Sequence, residues 1–481
     1  MAHEGTLKGG RVSWLAMSWK GKARIVHVGA LLALGFVLGC EPTTASDPRP
    51  NVLLITVDTL RADRLGSYGY RLATSPSMDA IANQGIRFNR AIAAASTTAP
   101  AHASIMTSRY TREHSIGPNN GGTKLIDGTT LAEEFRRAGY ATGAFVGNIM
   151  LQPRTGFDRG FDLFDGELPH PEANREFIFE RTADETTERA LAWLETIGDQ
   201  PVFLWVHYQD PHGPYIPPRE FATRLRVPAT DDEKALPVLP SETGWGGIPS
   251  YQAIEGLSLP SDYESLYAAE ILYADFFIGQ LVENVEHHEP LRDSIVLLTA
   301  DHGESLGEMN RWFEHGFSTM PQLAHVPLIL RAPGLAPGIR DETVSHVDIL
   351  PTLLELAGLP IPAETSGSAL GPVIRGEREI PDRFVYSDIG KEVTAYRGDE
   401  LVRVTGVEGA WFPERPPSMK ETPLWFHYRW QDDGSWVPTK EDPRAQGQIR
   451  TYVEKAVPVK KTPALELEDL ERLRALGYTA P

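Results

Sequence analysis

Two stretches far apart in the chain set the strongest constraint on its fold. Asn51–Val57 and Ser294–Thr299 are short, continuous apolar runs rich in β-branched residues, as expected of strands buried on both faces. The first leads into Asp58, and the second leads through Ala300 into Asp301 and His302. Strands of this kind belong in a mainly parallel sheet covered by helices. The remaining chain supplies the alternation. Pro100–Met106 reads as the first turns of a helix, and Thr130–Gly139 as an amphipathic helix closed by glycine, followed by a strand at Ala141–Val146. Glu180–Gly198 predicts a helix with Ala190, Leu191, Leu194 and Ile197 on one face. Pro201–His207 predicts a strand, Tyr263 to about Glu286 a long helix, His325–Leu330 a strand, and Val347–Ala357 a helix stopped by Gly358. The expected fold is therefore α/β. Ligands of such folds gather beyond the carboxyl ends of the strands, where Asp58, Asp301 and the segment His207–His212 all fall.

One hydroxyl stands out against this frame. Thr98 lies in Ser96–Ser104 just before a predicted helix, where free amides and the helix dipole favour an anion. Asp58, Asp301 and His302 form a mixed oxygen and nitrogen ligand set, with Thr98 as a fourth contact. Carboxylates suit Mg²⁺, Ca²⁺ or Mn²⁺, and an imidazole favours Mn²⁺ or Zn²⁺. A metal there would lower the pKa of the Thr98 hydroxyl and generate a nucleophile near neutral pH. The plainer alternative makes Asp58 a loop cap, Asp301 an acceptor of backbone amides and Thr98 a helix N-cap.

Five motifs in order then define a resemblance. They are Val57–Gly66, Ser75–Asp79 through Gly85–Phe88, Thr98–His102 with Thr107–Arg109, Asp301–Glu304, and Ser345–Thr352. From about Asn51 to about Gly376 the chain resembles the sulfatase branch of the alkaline phosphatase superfamily. The resemblance implies an alkaline-phosphatase-like α/β sheet with a smaller C-terminal α+β subdomain. It also implies a metal-dependent hydrolase, or transferase, of phosphate, phosphonate or sulfate esters, with one divalent ion (Mn, Ca, Mg or Zn).

The departures from that family matter as much. Sulfatases convert a Cys or Ser into formylglycine, and that position is Thr98 here, so no formylglycine is expected. The family's second metal aspartate falls at Thr59. Its signature arginine falls at His102, a sulfate-binding lysine at Asn148, a histidine at Met150, and a later lysine at His315. His212 falls at the family's usual substrate-contacting histidine. By resemblance, then, Thr98, His212 and His315 are catalytic and Asn148 and His102 bind substrate. Asp58, Thr98, Asp301 and His302 hold the metal. A two-metal variant would place a second ion on Asp210, His212 and His315. A sulfatase working without formylglycine, or a weakly catalytic scaffold binding an envelope glycan or protein, are the alternative functions. His325, His346 and Asp348 read as packing residues, and Arg61 and Asp63 as a pair beside the site.

The single cysteine, Cys40, excludes an intrachain disulfide. It follows a basic stretch, Lys20–Arg24, and an apolar run, Ile25–Leu38, shorter than the ~20 residues that span a bilayer. Residues 1–40 therefore resemble a lipoprotein signal, with Met17 as an alternative start and a lipid on Cys40. Glu41 after the cysteine favours the outer membrane by resemblance to sorting rules, and residues 41–50 read as a tether. The expectation is a bacterial envelope protein, lipid-anchored and facing the periplasm or the outer membrane. A net charge of −19 argues against nucleic acid. The expected partner is an anionic ester, an envelope glycan or a lipid headgroup. The catalytic domain is expected over 51–380 and the subdomain over 381–481. Residues 224–262, rich in Pro, Gly and Ser, predict a long surface excursion. Phe384–Ser387 and Glu400–Val407 predict strands, and Leu465–Leu476 a terminal helix. Trp425–Trp430 with Trp436 reads as small-domain core, with stacking faces for sugar rings the alternative.

Overall fold

A computed structural model describes residues 49–114, 116–117, 124–125, 127–287, 291–408, 418–431 and 435–455. The expected signal, all but the end of the expected tether and the expected helix at Leu465–Leu476 lie outside these residues.

Nine strands build the main sheet: β1 (Val52–Val57), β2 (Ile86–Ile92), β3 (Ala141–Val146), β4 (Leu163–Asp165), β5 (Val202–Tyr208), β6 (Ile295–Ala300), β7 (His325–Val326), β8 (Leu328–Arg331) and β9 (Gly338–Ser345). Their order is β7-β2-β8-β6-β1-β5-β3-β4, with β9 beside β2. Strands β6, β1, β5, β3 and β4 are mutually parallel. The antiparallel pairs β8–β6 and β8–β2 extend the sheet on one side. Every residue of β1, β3, β5 and β6 is buried, which accounts for their continuous apolar sequence. Register sets Thr56 between His207 on β5 and Thr299 on β6. Asp58 and Asp301 thus emerge one residue beyond neighbouring strand ends. The helix Pro260–His287 packs across the helices Ala183–Leu194 and Pro76–Gln84 on one face.

The helix expected from Glu180 begins at Ala183, and Arg175–Glu180 instead pairs with His170–Glu172 as a small antiparallel ribbon. Glu180 closes the ribbon and Thr182 is still extended, so the helix starts three residues later than expected. Of residues 224–262, the part before Pro260 forms turns, bends and one short 3₁₀ turn at Ser250–Gln252, and Pro260 opens the long helix.

The C-terminal part is a five-stranded antiparallel sheet, β10 (Val385–Asp388), β11 (Glu392–Arg397), β12 (Glu400–Glu408), β13 (Ser418–Trp430) and β14 (Trp436–Pro438), packed on the helix Pro443–Glu454. A buried ion pair, Arg112 Nε to Asp388 Oδ2 at 2.6 Å, ties it to the main body. No helix among the described residues is long and apolar enough to cross a membrane.

Candidate active site

Three ligand-type side chains converge beyond the ends of β1 and β6. The nearest ligand atoms of Asp58, Asp301 and His302 all lie within 4.8 Å of one another, and all three residues are fully buried. His302 Nε2 stands 3.4 Å from Asp301 Oδ2 and 3.8 Å from Asp58 Oδ1. His302 Nδ1, 3.0 Å from the Gly303 carbonyl, carries the ring proton. Nε2 is the nitrogen turned toward the two carboxylates, and the neutral ring presents its lone pair there. Asp301 Oδ1 accepts the amides of Thr59 and His302. Asp58 Oδ1 and Asp301 Oδ2 have no hydrogen-bond partner among the described residues.

Burying unpaired carboxylates costs several kcal/mol each. Burial pushes the Asp58 carboxyl up to about 7, against the opposing pull of His302. Two orphaned carboxylate oxygens and a fixed imidazole lone pair fit a divalent cation of the Mn²⁺ or Zn²⁺ kind. Thr59, at the position of the family's second aspartate, takes the left-handed conformation with φ of 55°. That conformation is costly for a β-branched residue. It is held by the Thr59 amide on Asp301 and by the Tyr267 hydroxyl on the Thr59 carbonyl at 2.7 Å.

Thr98 is the first residue of the helix Thr98–Thr107. Its Oγ1 lies 3.5 Å from His302 Nε2 and borders a cavity of about 270 Å³. His212 and His315 form the facing wall, their ring centres 5.2 Å apart, and His315 is 4.5 Å from the His302 ring. His315 Nδ1 meets Glu304 Oε1 at 3.3 Å, and burial pushes the His315 imidazole down to about 4. Burial likewise lowers His212, whose Nδ1 has no partner. Both rings are therefore neutral until an anion raises them.

Two expectations need correction. Asn148 borders the cavity, but both hydrogens of its Nδ2 are spent, on Asp58 Oδ2 and Gln209 Oε1, each at 2.8 Å. Its Oδ1 caps the amide of Met150. Asn148 orients Asp58 and has no donor left for substrate. His102 is fully buried, one helical turn behind Thr98, and donates from Nδ1 to the Thr98 carbonyl at 2.9 Å. Its ring points at β1, away from the cavity. The second ion site also fails to assemble. Among the described residues only Asp58, Asp301 and His302 group as metal ligands, and Asp210 turns to Glu270. Arg61 binds both Asp63 oxygens and lies outside the cavity, as expected. His346 and Asp348 serve packing, through the Ala300 carbonyl and Arg383.

Sequence reasoning missed the layer beneath. Thr56 Oγ1 accepts the Trp205 indole N–H at 3.0 Å and meets His102 Nε2 at 3.1 Å and His207 Nδ1 at 3.0 Å. His102 has its proton on Nδ1, so its Nε2 accepts from Thr56. The hydroxyl has one hydrogen, so His207 must donate to it from Nδ1. His207 Nε2, buried and unpartnered, thus turns a lone pair toward Asp58 Oδ2 at 3.5 Å. That pairing is repulsive without a positive charge nearby. The available signal was strand alternation, which puts Trp205 and His207 on one face beside Thr56.

Comparison with known proteins places this geometry. The Sulfatase family model matches residues 50–359. An N-acetylglucosamine-6-O-sulfatase of Bacteroides thetaiotaomicron is 27% identical over 425 residues, covering 73% of this chain and 75% of that protein. The phosphonate monoester hydrolase SpPMH from Silicibacter pomeroyi shares the fold with a TM-score of 0.64 at 20% identity, covering 85% of this chain and 96% of that one. A structure solved with its substrate D-glucosamine-2-N,6-O-disulfate aligns with a TM-score of 0.65 at 19% identity, covering 89% and 98%.

Proposed function

This chain belongs to the sulfatase family, and from that membership we propose an ester hydrolase in which the Thr98 hydroxyl attacks the phosphorus or sulfur of an anionic ester. The observation that carries this reading is the Thr98 Oγ1 itself. It sits at a helix N-terminus, 3.5 Å from His302 Nε2, where the orphaned oxygens of Asp58 and Asp301 and the open cavity meet. Asp58, Asp301 and His302, with Thr98, hold one divalent cation. When bound, that cation lowers the pKa of the hydroxyl and neutralises a substrate oxygen.

The positive end of the Thr98–Thr107 helix dipole favours the anion beside Thr98. Thr98 Oγ1, its proton released to solvent, bonds to the central atom as the bond to the leaving oxygen breaks. His212 and His315, raised by the arriving negative charge, give the leaving oxygen its proton. Water then resolves the threonyl ester. A threonine cannot become formylglycine, so phosphate and phosphonate esters are favoured over sulfate esters. Substrates of the relatives, including a sulfated amino sugar, support an anionic glycan ester. The basic-apolar-Cys40 layout supports a lipid-anchored protein of the bacterial envelope.

The test is hydrolysis of p-nitrophenyl phosphate, bis-p-nitrophenyl phosphate, phenyl phosphonate and sulfate esters by the metal-supplemented protein. Thr98→Ala and Asp301→Ala serve as controls. Turnover of a phosphorus ester that both substitutions abolish is the expected result. Turnover that survives Thr98→Ala would sink the nucleophile, and turnover of sulfate esters alone would reverse the order of preference.

A further inference from the structure

A second cavity, of about 700 Å³, opens where the main sheet meets β13 and β14. It shares no lining residue with the first cavity. The turn after Asp301 separates the two. Arg61 Nη1, on the second cavity's wall, donates to the Glu304 carbonyl at 2.9 Å, while the Glu304 carboxylate reaches His315 on the other side.

The wall combines aromatic faces with unspent donors. Trp430 and Trp436 are cross-strand partners with ring centres 5.0 Å apart, and both are half-buried. His325 meets the Trp430 ring edge-on at 4.8 Å. Neither indole N–H makes a hydrogen bond within the described protein. The Arg87 guanidinium lies 4.8 Å over the Tyr68 ring, with no hydrogen bond and no carboxylate partner among the described residues. The Gln322 side-chain amide is likewise unbonded there.

The carboxylates nearby are already spoken for. Asp63 gives both oxygens to Arg61, while Glu308 gives one to Arg61 and one to the Leu306 amide. The positive charge left over in this cavity is Arg87. Flat apolar faces, indole N–H groups, a planar amide and one unpaired guanidinium match a sugar ring carrying an acidic substituent.

We propose that this cavity is a binding subsite for an anionic saccharide, with Trp430 and Trp436 as ring platforms and Arg87 and Gln322 as polar contacts. The proposal extends the reading of the chain as a hydrolase of anionic glycan esters. The subsite holds a part of the chain that is not cleaved.

The test is calorimetric titration of the full chain carrying Thr98→Ala with a chondroitin 4-sulfate hexasaccharide and its desulfated counterpart. The sulfated probe is expected to bind. Trp430→Ala and Arg87→Gln, each added separately, should weaken it about tenfold, and desulfation should do the same. In protein with Thr98 intact, the same two substitutions should leave turnover of small p-nitrophenyl esters unchanged. No binding by the parent, unchanged affinity in Arg87→Gln, or equal binding of the desulfated probe would overturn the subsite. Arg87 is half-buried at the cavity wall, so its variant stays informative even if Trp430→Ala perturbs the fold. A failure of the Thr98 chemistry shows only in the ester panel and leaves these titrations untouched.

Discussion

Thr56 and His207 stand side by side on the two adjacent central strands, Oγ1 to Nδ1 at 3.0 Å, and this bond decides which nitrogen of His207 faces Asp58. One hydroxyl thereby fixes the proton of His207, accepts Trp205 and supports His102. Its loss is expected to act on the metal centre, which Thr56 does not touch. In Thr56→Val, affinity for Mn²⁺ or Zn²⁺ should fall about 10- to 100-fold, the usual effect of removing an outer-shell partner. Titration calorimetry on the purified variant measures it directly. Unchanged affinity would show that the tautomer of His207 is irrelevant to the site.

Metal removal should be visible without any substrate. A cation held by the orphaned oxygens of Asp58 and Asp301 would stabilise only the folded chain, which alone brings them together. At a free ion concentration about 100 times Kd, unfolding should become harder by about 2.7 kcal/mol. Thermal unfolding with a chelator, then with excess Mn²⁺ or Zn²⁺, checks this. Asp301→Ala should abolish the difference between the two scans.

The clamp between the two sheets is a third target. Arg112 and Asp388 are 1% and 0% exposed, and Asp388 also accepts the Gly390 amide and the Tyr452 hydroxyl. Asp388→Ala strands a buried guanidinium and should cost about 3–5 kcal/mol. Urea unfolding provides the number. A cost under about 1 kcal/mol would mean that water reaches Arg112 and makes the pair no more than a surface bridge.

The fourth prediction concerns pH. Asp210 and Glu270 face each other with Glu180 and Asp184 nearby. Burial first, and the negative neighbours with it, raise both carboxyls. In the unfolded chain both ionise near pH 4. The folded pair therefore holds a proton that the unfolded chain has released. Its contribution to stability is complete below about pH 4 and is lost as pH rises through the raised values, at about 1.4 kcal/mol per pH unit for each proton. Glu270→Gln keeps a neutral partner for Asp210 and should flatten this loss across about pH 5 to 8. Denaturation curves at several pH values decide it, and an unchanged slope in the variant is the contrary outcome.

The parts of the site read most readily from sequence are those carried by continuous runs. Asp58 and Asp301 end apolar strands, so their meeting followed from strand pattern and parallel pairing alone. Thr98 was marked by its place before a helix. The side chains read by position in a motif fared differently, because a motif aligns backbone and says nothing of where a side chain spends its hydrogen bonds. His102 and Asn148 were expected, by resemblance alone, to contact substrate. Here one turns inward to Thr56 and the other closes on Asp58 and Gln209. His207 was read only as the start of the strand-end segment His207–His212, because its partners across the sheet, Thr56 and Asp58, are not visible in sequence. The ribbon at Arg175–Glu180 was hidden by the helix that follows it.

The adjacency of β1 and β6 has a consequence for how the protein comes into being. These strands pair residue for residue, yet one lies near the start of the chain and the other well past its middle. A nascent polypeptide, emerging at about 5–20 residues per second, carries Thr98 and Asp58 long before Asp301 and His302 exist. Any product of termination before Asp301 thus lacks half of the ligand set, and turnover reports that synthesis ran past His302.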